Sequence, residues 1–277
     1  VGFDPEPEEH LRRVEAAIGT IETSKLEKVV LARAVEIEFP EAIDPRLVAA
    51  RLIDLSANRD GFIVDLSPAG RPGAMLVGSS PEVLVKRQGS TVSAFPLAGS
   101  SPRRTSAAED HIAGQDLLHS TKDLHEHSFV VEHLRRVLSP LCERLDIPDA
   151  PQLISTNEMW HLGTPISGTL KDKGLTALEL ALAAHPTPAI CGTPAEAAQA
   201  LIETAETDRG FYAGAVGWCD SSGDGEYMVA IRCAEVAGDG LSARAWAGGG
   251  IVGDSDAHAE LEETTAKLRT ILKALSL

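Results

Sequence analysis

Apolar residues recur along the chain in two rhythms, one helical and one alternating. Leu11, Val14, Ile18 and Ile21 keep helical spacing behind Pro7, which predicts a helix over Glu8–Thr23. Val35-Glu36-Ile37-Glu38-Phe39 alternates cleanly and predicts a strand over Lys28–Phe39. Asp44-Pro45 supplies a cap and a first helical residue for a second helix to about Ala57. Short β-type runs follow at Phe62–Leu66, Ala74–Gly78, Val83–Arg87 and Thr91–Phe95, with Gly89-Ser90 as a hairpin turn between the last two. Ser106–Leu145 reads as largely helical with a break around His119-Ser120. Gln152–Thr156 and Pro165–Leu170 read as strands, and Leu175–Ala184 as a helix. Thr193-Pro194-Ala195-Glu196 has the form of a capping box with Pro at the first helical position, predicting a helix to about Thr207. A meander then runs through Phe211–Cys219, a turn at Ser221–Gly225, Glu226–Glu235, a turn at Gly238–Gly240 and Leu241–Ala247. A helix over Ala257–Ala274 closes the chain. Paired strands without βαβ alternation predict an α+β fold of antiparallel β-sheets with helices packed on the outside. No repeat or long linker divides the chain, so residues 1–277 are expected to form a single domain.

Composition narrows the classes of function. The 277 residues are 43% hydrophobic and 24% charged, proportions of an ordinary globular protein. Acidic residues outnumber basic ones by 41 to 25, and the formal charge of −16 repels polyanions. Nucleic acid and anionic membranes are therefore poor partners, whereas a small anion needs only a few local cations. No apolar run approaches the roughly 20 residues of a membrane span, and no secretory leader opens the sequence. A cytoplasmic protein is expected. Cys142, Cys191, Cys219 and Cys233 are scattered without metal-ligand or disulfide spacing and read as small buried hydrophobes.

Several constellations could carry chemistry. Glu260, Glu263 and Lys267 share one face of the last predicted helix. They make either an ordinary solvent-facing i,i+4 pair or a carboxylate site for a divalent cation beside an anion-binding ammonium. Asp123 and Glu126 repeat the three-residue spacing on another predicted helix, beside Lys122, His125 and His127. Gly248-Gly249-Gly250 lies between the last predicted strand and helix, either as a tight turn or as a place where backbone N–H groups approach an anion. Arg232 falls inside the apolar run Val229–Cys233, where an inward guanidinium needs a carboxylate partner from protein or ligand. Lys28 opens a strong strand, a position where lysine is usually solvated.

Taken together, these segments resemble the chorismate-utilising enzymes. The resemblance spans about Lys25 to Leu275 and rests on ordered matches rather than on any one motif. They include Lys28-Val-Val-Leu-Ala-Arg33, Gly78-Ser-Ser-Pro-Glu-Val-Leu84, Pro96-Leu-Ala-Gly-Ser100 and Lys122-Asp-Leu-His-Glu-His127. Further along come Met159-Trp-His-Leu162, His185-Pro-Thr-Pro-Ala189, Gly214–Asp220, Ile231–Ala234, Ala247–Val252 and Glu262-Glu-Thr264 with Lys267. Lysine at Lys28 is similar to members that add water, and alanine at Ala98 argues against members with a reactive lysine there. The pattern looks most like isochorismate synthase, with salicylate synthase or a non-catalytic binding protein of the same fold as alternatives. Two departures stand out: Gly249 where alanine is usual, and Glu262 where arginine is common. Family members usually carry a further N-terminal segment, so part of it is expected to be missing here.

The resemblance implies a Mg²⁺-dependent enzyme acting on chorismate, in siderophore or menaquinone biosynthesis; a monomer is expected. Water would add at C2 of the ring while the C4 hydroxyl leaves. Lys28 is implied as general base and Glu82 as general acid. Lysine has a reference pKa near 10.4 and glutamic acid about 4.3, and burial moves both toward the form required. Glu126 and Glu263, with Glu260 and Asp123, are implied around the metal. Arg232, Lys267 and the amides around Gly248 and Gly250 would hold the enolpyruvyl carboxylate. Gly99, Ser100, His161, Ala189 and Tyr212 would line the substrate pocket, His161 also being readable as a satisfied core histidine.

Overall fold

A computed structural model describes residues 1–56 and 58–277. The chain opens with β1 (Gly2–Asp4), α1 (Pro7–Thr23), β2 (Lys28–Glu38), α2 (Pro45–Leu55), β3 (Phe62–Asp65), β4 (Met75–Gly78), β5 (Val83–Gln88), β6 (Thr91–Phe95) and β7 (Leu97–Pro102). Next come α3 (Ala107–His119), α4 (Thr121–Leu138), β8 (Cys142–Asp146), β9 (Gln152–Ser155), β10 (Met159–Gly163), β11 (Ile166–Leu170) and α5 (Ala177–Ala184). The last part holds β12 (Gly192–Thr193), α6 (Ala195–Ala205), β13 (Ala215–Cys219), β14 (Gly225–Val229), β15 (Cys233–Val236), β16 (Ser242–Ile251) and α7 (Ala257–Ala274).

The strands form three antiparallel sheets. A seven-stranded sheet runs β1-β2-β16-β15-β4-β3, with β12 also on β2; a six-stranded sheet runs β13-β14-β5-β6-β11-β8. A three-stranded sheet, β7-β10-β9, completes the set. Strand periodicity sorts the core. Val35 and Ile37 of β2, with Val77, Ala234 and Ala245, pack on Leu52 of α2 and on Leu268 and Ile271 of α7. Ala32, Ala34, Leu76 and Trp246 point the other way, into a core shared with Leu84, Val92 and Ile166 and with Leu134 and Leu180 of α4 and α5. This is the expected α+β arrangement, and among the described residues no helix is long and apolar enough to cross a membrane.

Five local expectations need correction. Pro140 follows the end of α4, and the chain leaves the helix through a 3₁₀ turn at Ser139–Leu141, so Cys142–Leu145 is strand rather than helix. Thr193 does not cap α6. It pairs with Lys28 in β12, and Pro194 takes the N-cap position without a side-chain cap. The strand expected from Phe211 begins only at Ala215, after Ala213 turns at φ 65°. The strand expected over Glu226–Glu235 splits between two sheets at Arg232, whose φ is 51°. Finally, β16 continues through Gly248–Ile251 in register with Val29–Ala32, so the glycines lie in a strand rather than in a turn. The expected end of the second helix at Ala57 lies outside the described residues. Cys142, Cys191 and Cys233 are buried as expected, but Cys219 is not.

Candidate active site

Lys28 is completely buried, which removes the solvated alternative. The two-residue period of β2 places it with Val30 and Ala32 on the face turned away from α7. Its Nζ lies 3.0 Å from Glu126 Oε1 of α4 and makes no well-angled hydrogen bond. Glu82 precedes β5 and is 3% exposed. Burial pushes its carboxyl up to about 7, against the opposing pull of the Leu97 amide and of Lys28, Arg232 and Lys267.

Arg232 sits at the crossover from β14 to β15, where the left-handed backbone turns its guanidinium inward. Its Nη2 donates to His161 Nε2 at 3.3 Å, and His161 Nδ1 lies 2.9 Å from Ser100 Oγ. An arginine can only donate, so Nε2 accepts and the imidazole proton belongs on Nδ1, directed at Ser100. Burial, with Arg232 and Lys267 nearby, holds His161 well below the ordinary histidine range, so it is neutral. Among the described residues, Arg232 has no carboxylate within ion-pair distance. A half-buried cation without a carboxylate partner fits an anionic ligand.

Gly248, Gly249 and Gly250 thin β16 where helices approach from both sides. A Cβ on Gly250 would sit 2.0 Å from Glu126 Oε1 and 2.9 Å from Lys28 Cε. One on Gly249 would meet Glu260 Oε2 at 2.9 Å, and one on Gly248 the Tyr212 hydroxyl at 2.9 Å. Carboxylates of α4 and α7 therefore reach the same stretch of strand from opposite faces. Because Val30 N–H donates to Cys191 rather than to β16, the polar groups of Gly248 and Gly250 also turn away from β2. Lys267 Nζ donates to the Gly248 carbonyl at 2.9 Å and to Glu263 Oε1. Glu263 is 8% exposed, which excludes the solvent-pair reading.

The acidic side chains form one electrostatic unit. Lys122 Nζ bridges α4 to α7, 2.9 Å from Glu260 Oε1 and 3.6 Å from Asp123 Oδ1. Ser255 Oγ also donates to Glu260 Oε1, while Glu260 Oε2 is buried without any partner. Burial and then the neighbouring Glu263 raise Glu260 to about 7, with Glu126 adding to the effect. Asp123 is raised too, by burial and by the charges of Glu126 and Glu263. Among the described residues, no three His, Cys, Asp or Glu side chains converge tightly enough to hold a metal as they stand. Each of Glu126, Glu260 and Glu263 instead has its own lysine. An all-oxygen donor set, mutual repulsion and an orphaned buried oxygen nonetheless fit a hard divalent cation such as Mg²⁺.

Two cavities meet at Ser100. The outer cleft is larger, about 770 Å³, but eight carboxylates (among them Asp123, Glu260, Glu262 and Glu263) face it against only Arg104 and Lys122. The inner cavity, about 50 Å³, gathers the opposite chemistry. Glu82, Gly99, Ser100, Glu126, His161, Ala189, Tyr212, Arg232, Gly248, Gly250 and Lys267 all line it. The smaller space is the candidate reaction site, because cations and the raised carboxyl of Glu82 converge there. Gly99 has φ +79°, a conformation that favours glycine, and its missing Cβ clears Asp123. Glu262 is exposed on the cleft side of α7 and does not enter the inner cavity.

Sequence reasoning left three contributors without a role. Lys122 was visible only as a cation among acids. Ser255 lies just before α7. His127 is neutral, lowered to about 4 by burial, with Nδ1 donating to Ala98 O at 3.0 Å and the Thr164 hydroxyl meeting Nε2 at 2.7 Å. It ties α4 to β7, which carries Gly99 and Ser100.

The sequence pattern described as "Chorismate binding enzyme" matches residues 3–276. The chain belongs to the chorismate binding enzyme family. MenF of Mycobacterium tuberculosis is 49% identical over 275 residues, covering 98% of this chain and 74% of that protein. The isochorismate synthase DhbC of Bacillus subtilis is 44% identical, with 98% of this chain and 68% of the relative covered. The crystal structure of DhbC from Bacillus anthracis superposes on the whole chain with a TM-score of 0.96 at 42% identity, and 74% of that chain is matched.

Proposed function

We propose that this chain is an isochorismate synthase that converts chorismate to isochorismate with Mg²⁺. The observation that carries the reading is one cavity uniting Glu82, whose carboxyl burial raises to about 7, with Arg232, His161 and Lys267, backed by Lys28 against Glu126. The reaction needs a base to activate water and an acid to release a poor leaving group. Lys28 Nζ takes a proton as water attacks C2, the ring double bonds shift, and Glu82 gives a proton to the departing C4 hydroxyl. One water is consumed and one released.

Arg232 and Lys267 hold the enolpyruvyl carboxylate, helped by the polar backbone of Gly248 and Gly250. Ser100, His161, Ala189 and Tyr212 shape the pocket around the ring, with the His161 tautomer fixed by Arg232. Glu126, Glu260 and Glu263, with Asp123 behind them, would hold the metal and release their lysines on doing so. Bound Mg²⁺ supplies Lewis-acid neutralisation of the ring carboxylate. A dianion is thus accepted inside a protein of charge −16 by strictly local cations.

Product analysis tests this reading. With chorismate and Mg²⁺, isochorismate is expected without free pyruvate. Salicylate with an equivalent of pyruvate would reassign the enzyme, and unchanged chorismate would reject catalysis.

A further inference from the structure

Behind the cavity wall lies an ion pair that the mechanism above does not use. Glu206 follows α6, and its side chain is 6% exposed. Arg209 grips it bidentately, Nε to Oε2 and Nη2 to Oε1, both at 2.7 Å. The same guanidinium donates through Nη2 to Val30 O at 2.7 Å and through Nη1 to Ile190 O at 2.9 Å. Its Cζ also stands 6.0 Å from the centre of the Tyr212 ring. Glu206 Oε1 in turn accepts the Ala32 N–H at 2.7 Å.

Strand pairing explains why side chains serve here. On this edge of β2, β12 covers Lys28 and Val29, and Cys191 O takes the Val30 N–H. β1 begins only opposite Ala34. Val30 O and Ala32 N–H fall in the gap and would lack strand partners. The ion pair fills that gap, carboxylate to the donor and guanidinium to the acceptor. Val30, Ile190 and Tyr212 all line the inner cavity, and Lys28 is two residues from Val30.

We infer that Glu206 and Arg209 are positioning residues for the reaction, setting the wall of Val30, Ile190 and Tyr212 and, through β2, the placement of Lys28. The inference deepens the isochorismate synthase reading and rests on it. A planar fork serving three acceptors cannot be replaced by the single ammonium of lysine. Arg232 and Lys267, which hold the substrate carboxylate, stand on other elements, so substrate binding survives when the wall loosens.

The test uses Arg209→Lys and Glu206→Gln in the full chain, measuring kcat, KM for chorismate, thermal midpoint and hydrogen exchange of the Ala32 amide. Arg209→Lys is expected to lower kcat roughly 10- to 100-fold while KM stays within about threefold, the loss that misplacing a reacting group produces. Glu206→Gln keeps an acceptor for Ala32 and is expected to lose less. In both, Ala32 exchanges faster while the fold melts cooperatively above the assay temperature. A lower midpoint with unchanged kcat, a loss confined to KM, or unchanged Ala32 exchange would each overturn the inference. If Arg209→Lys does not fold, Glu206→Gln decides on the same readouts. A wild-type chain without turnover would instead defeat the isochorismate synthase reading, and Ala32 exchange would then judge the pair's hold on β2.

Discussion

Lys28 Nζ and Glu126 Oε1 face each other at 3.0 Å with side-chain exposures of 0% and 8%. Removing one member of such a pair strands the other's charge away from water, at a typical cost of about 3–5 kcal/mol. Lys28→Met and Glu126→Gln are each expected to destabilise the fold on that scale. The double variant is expected to recover much of the loss while remaining inactive, because the proposed base is gone. Denaturant unfolding of all four proteins beside a chorismate assay checks this; additive losses would show that the pair is not coupled.

Glu82 gives the site a pH signature. Its carboxyl is raised from 4.5 to about 7 by burial, so the protonated form required of an acid disappears above that range. At saturating Mg²⁺, kcat/KM is expected to fall as pH rises past about 7, and Glu82→Gln to abolish turnover. The same shift acts on stability. Below about 4.5 the group is protonated in both states; from there to about 7 the folded chain keeps a proton the unfolded chain has released, so this contribution is lost as pH rises. Glu82→Gln is expected to remove that slope from a pH series of melting curves.

The adjacent glycines of β16 predict unequal outcomes for the same substitution. Gly250→Ala places a methyl 2.0 Å from Glu126 Oε1 and against the Lys28 stem, so a loss of activity beyond about 100-fold is expected. Gly249→Ala meets only the end of Glu260 at 2.9 Å, which can swing away. Its cost is expected to stay within about tenfold and to appear mainly as a higher Mg²⁺ requirement, read from activity across a Mg²⁺ titration.

Chelation addresses the carboxylate cluster. Activity is expected to vanish in excess EDTA and return with Mg²⁺. Mg²⁺ is also expected to raise the thermal midpoint of the wild type, because it binds only the folded chain, and to leave Glu263→Gln little changed. An equal shift in both would place the ion elsewhere.

Local pattern carried only part of this site. Glu126, Glu260 and Glu263 follow helical spacing on α4 and α7, whereas Lys28 and Glu82 stand out only through the family resemblance, because a lysine at the head of a strand is usually solvated and Glu82 lies outside any regular element. Local pattern failed where tertiary pairing decides. Gly248–Gly250 carry no strand propensity and are held in β16 by ten-residue pairing with β2. Arg232 interrupts an apolar run because the chain must change sheets there. Thr193 and Glu196 imitate a capping box, yet pairing with Lys28 draws Thr193 into the sheet. The Glu206–Arg209 pair gave no signal at all, since its purpose is a gap between β12 and β1 that exists only in three dimensions.

The most direct test of the central claim is to run the reaction in H₂¹⁸O and locate the label in the product. Water activated at Lys28 and attacking C2 predicts isochorismate with one ¹⁸O, in the C2 hydroxyl. Isochorismate formed without label would contradict the account, because the oxygen would then have moved within the substrate.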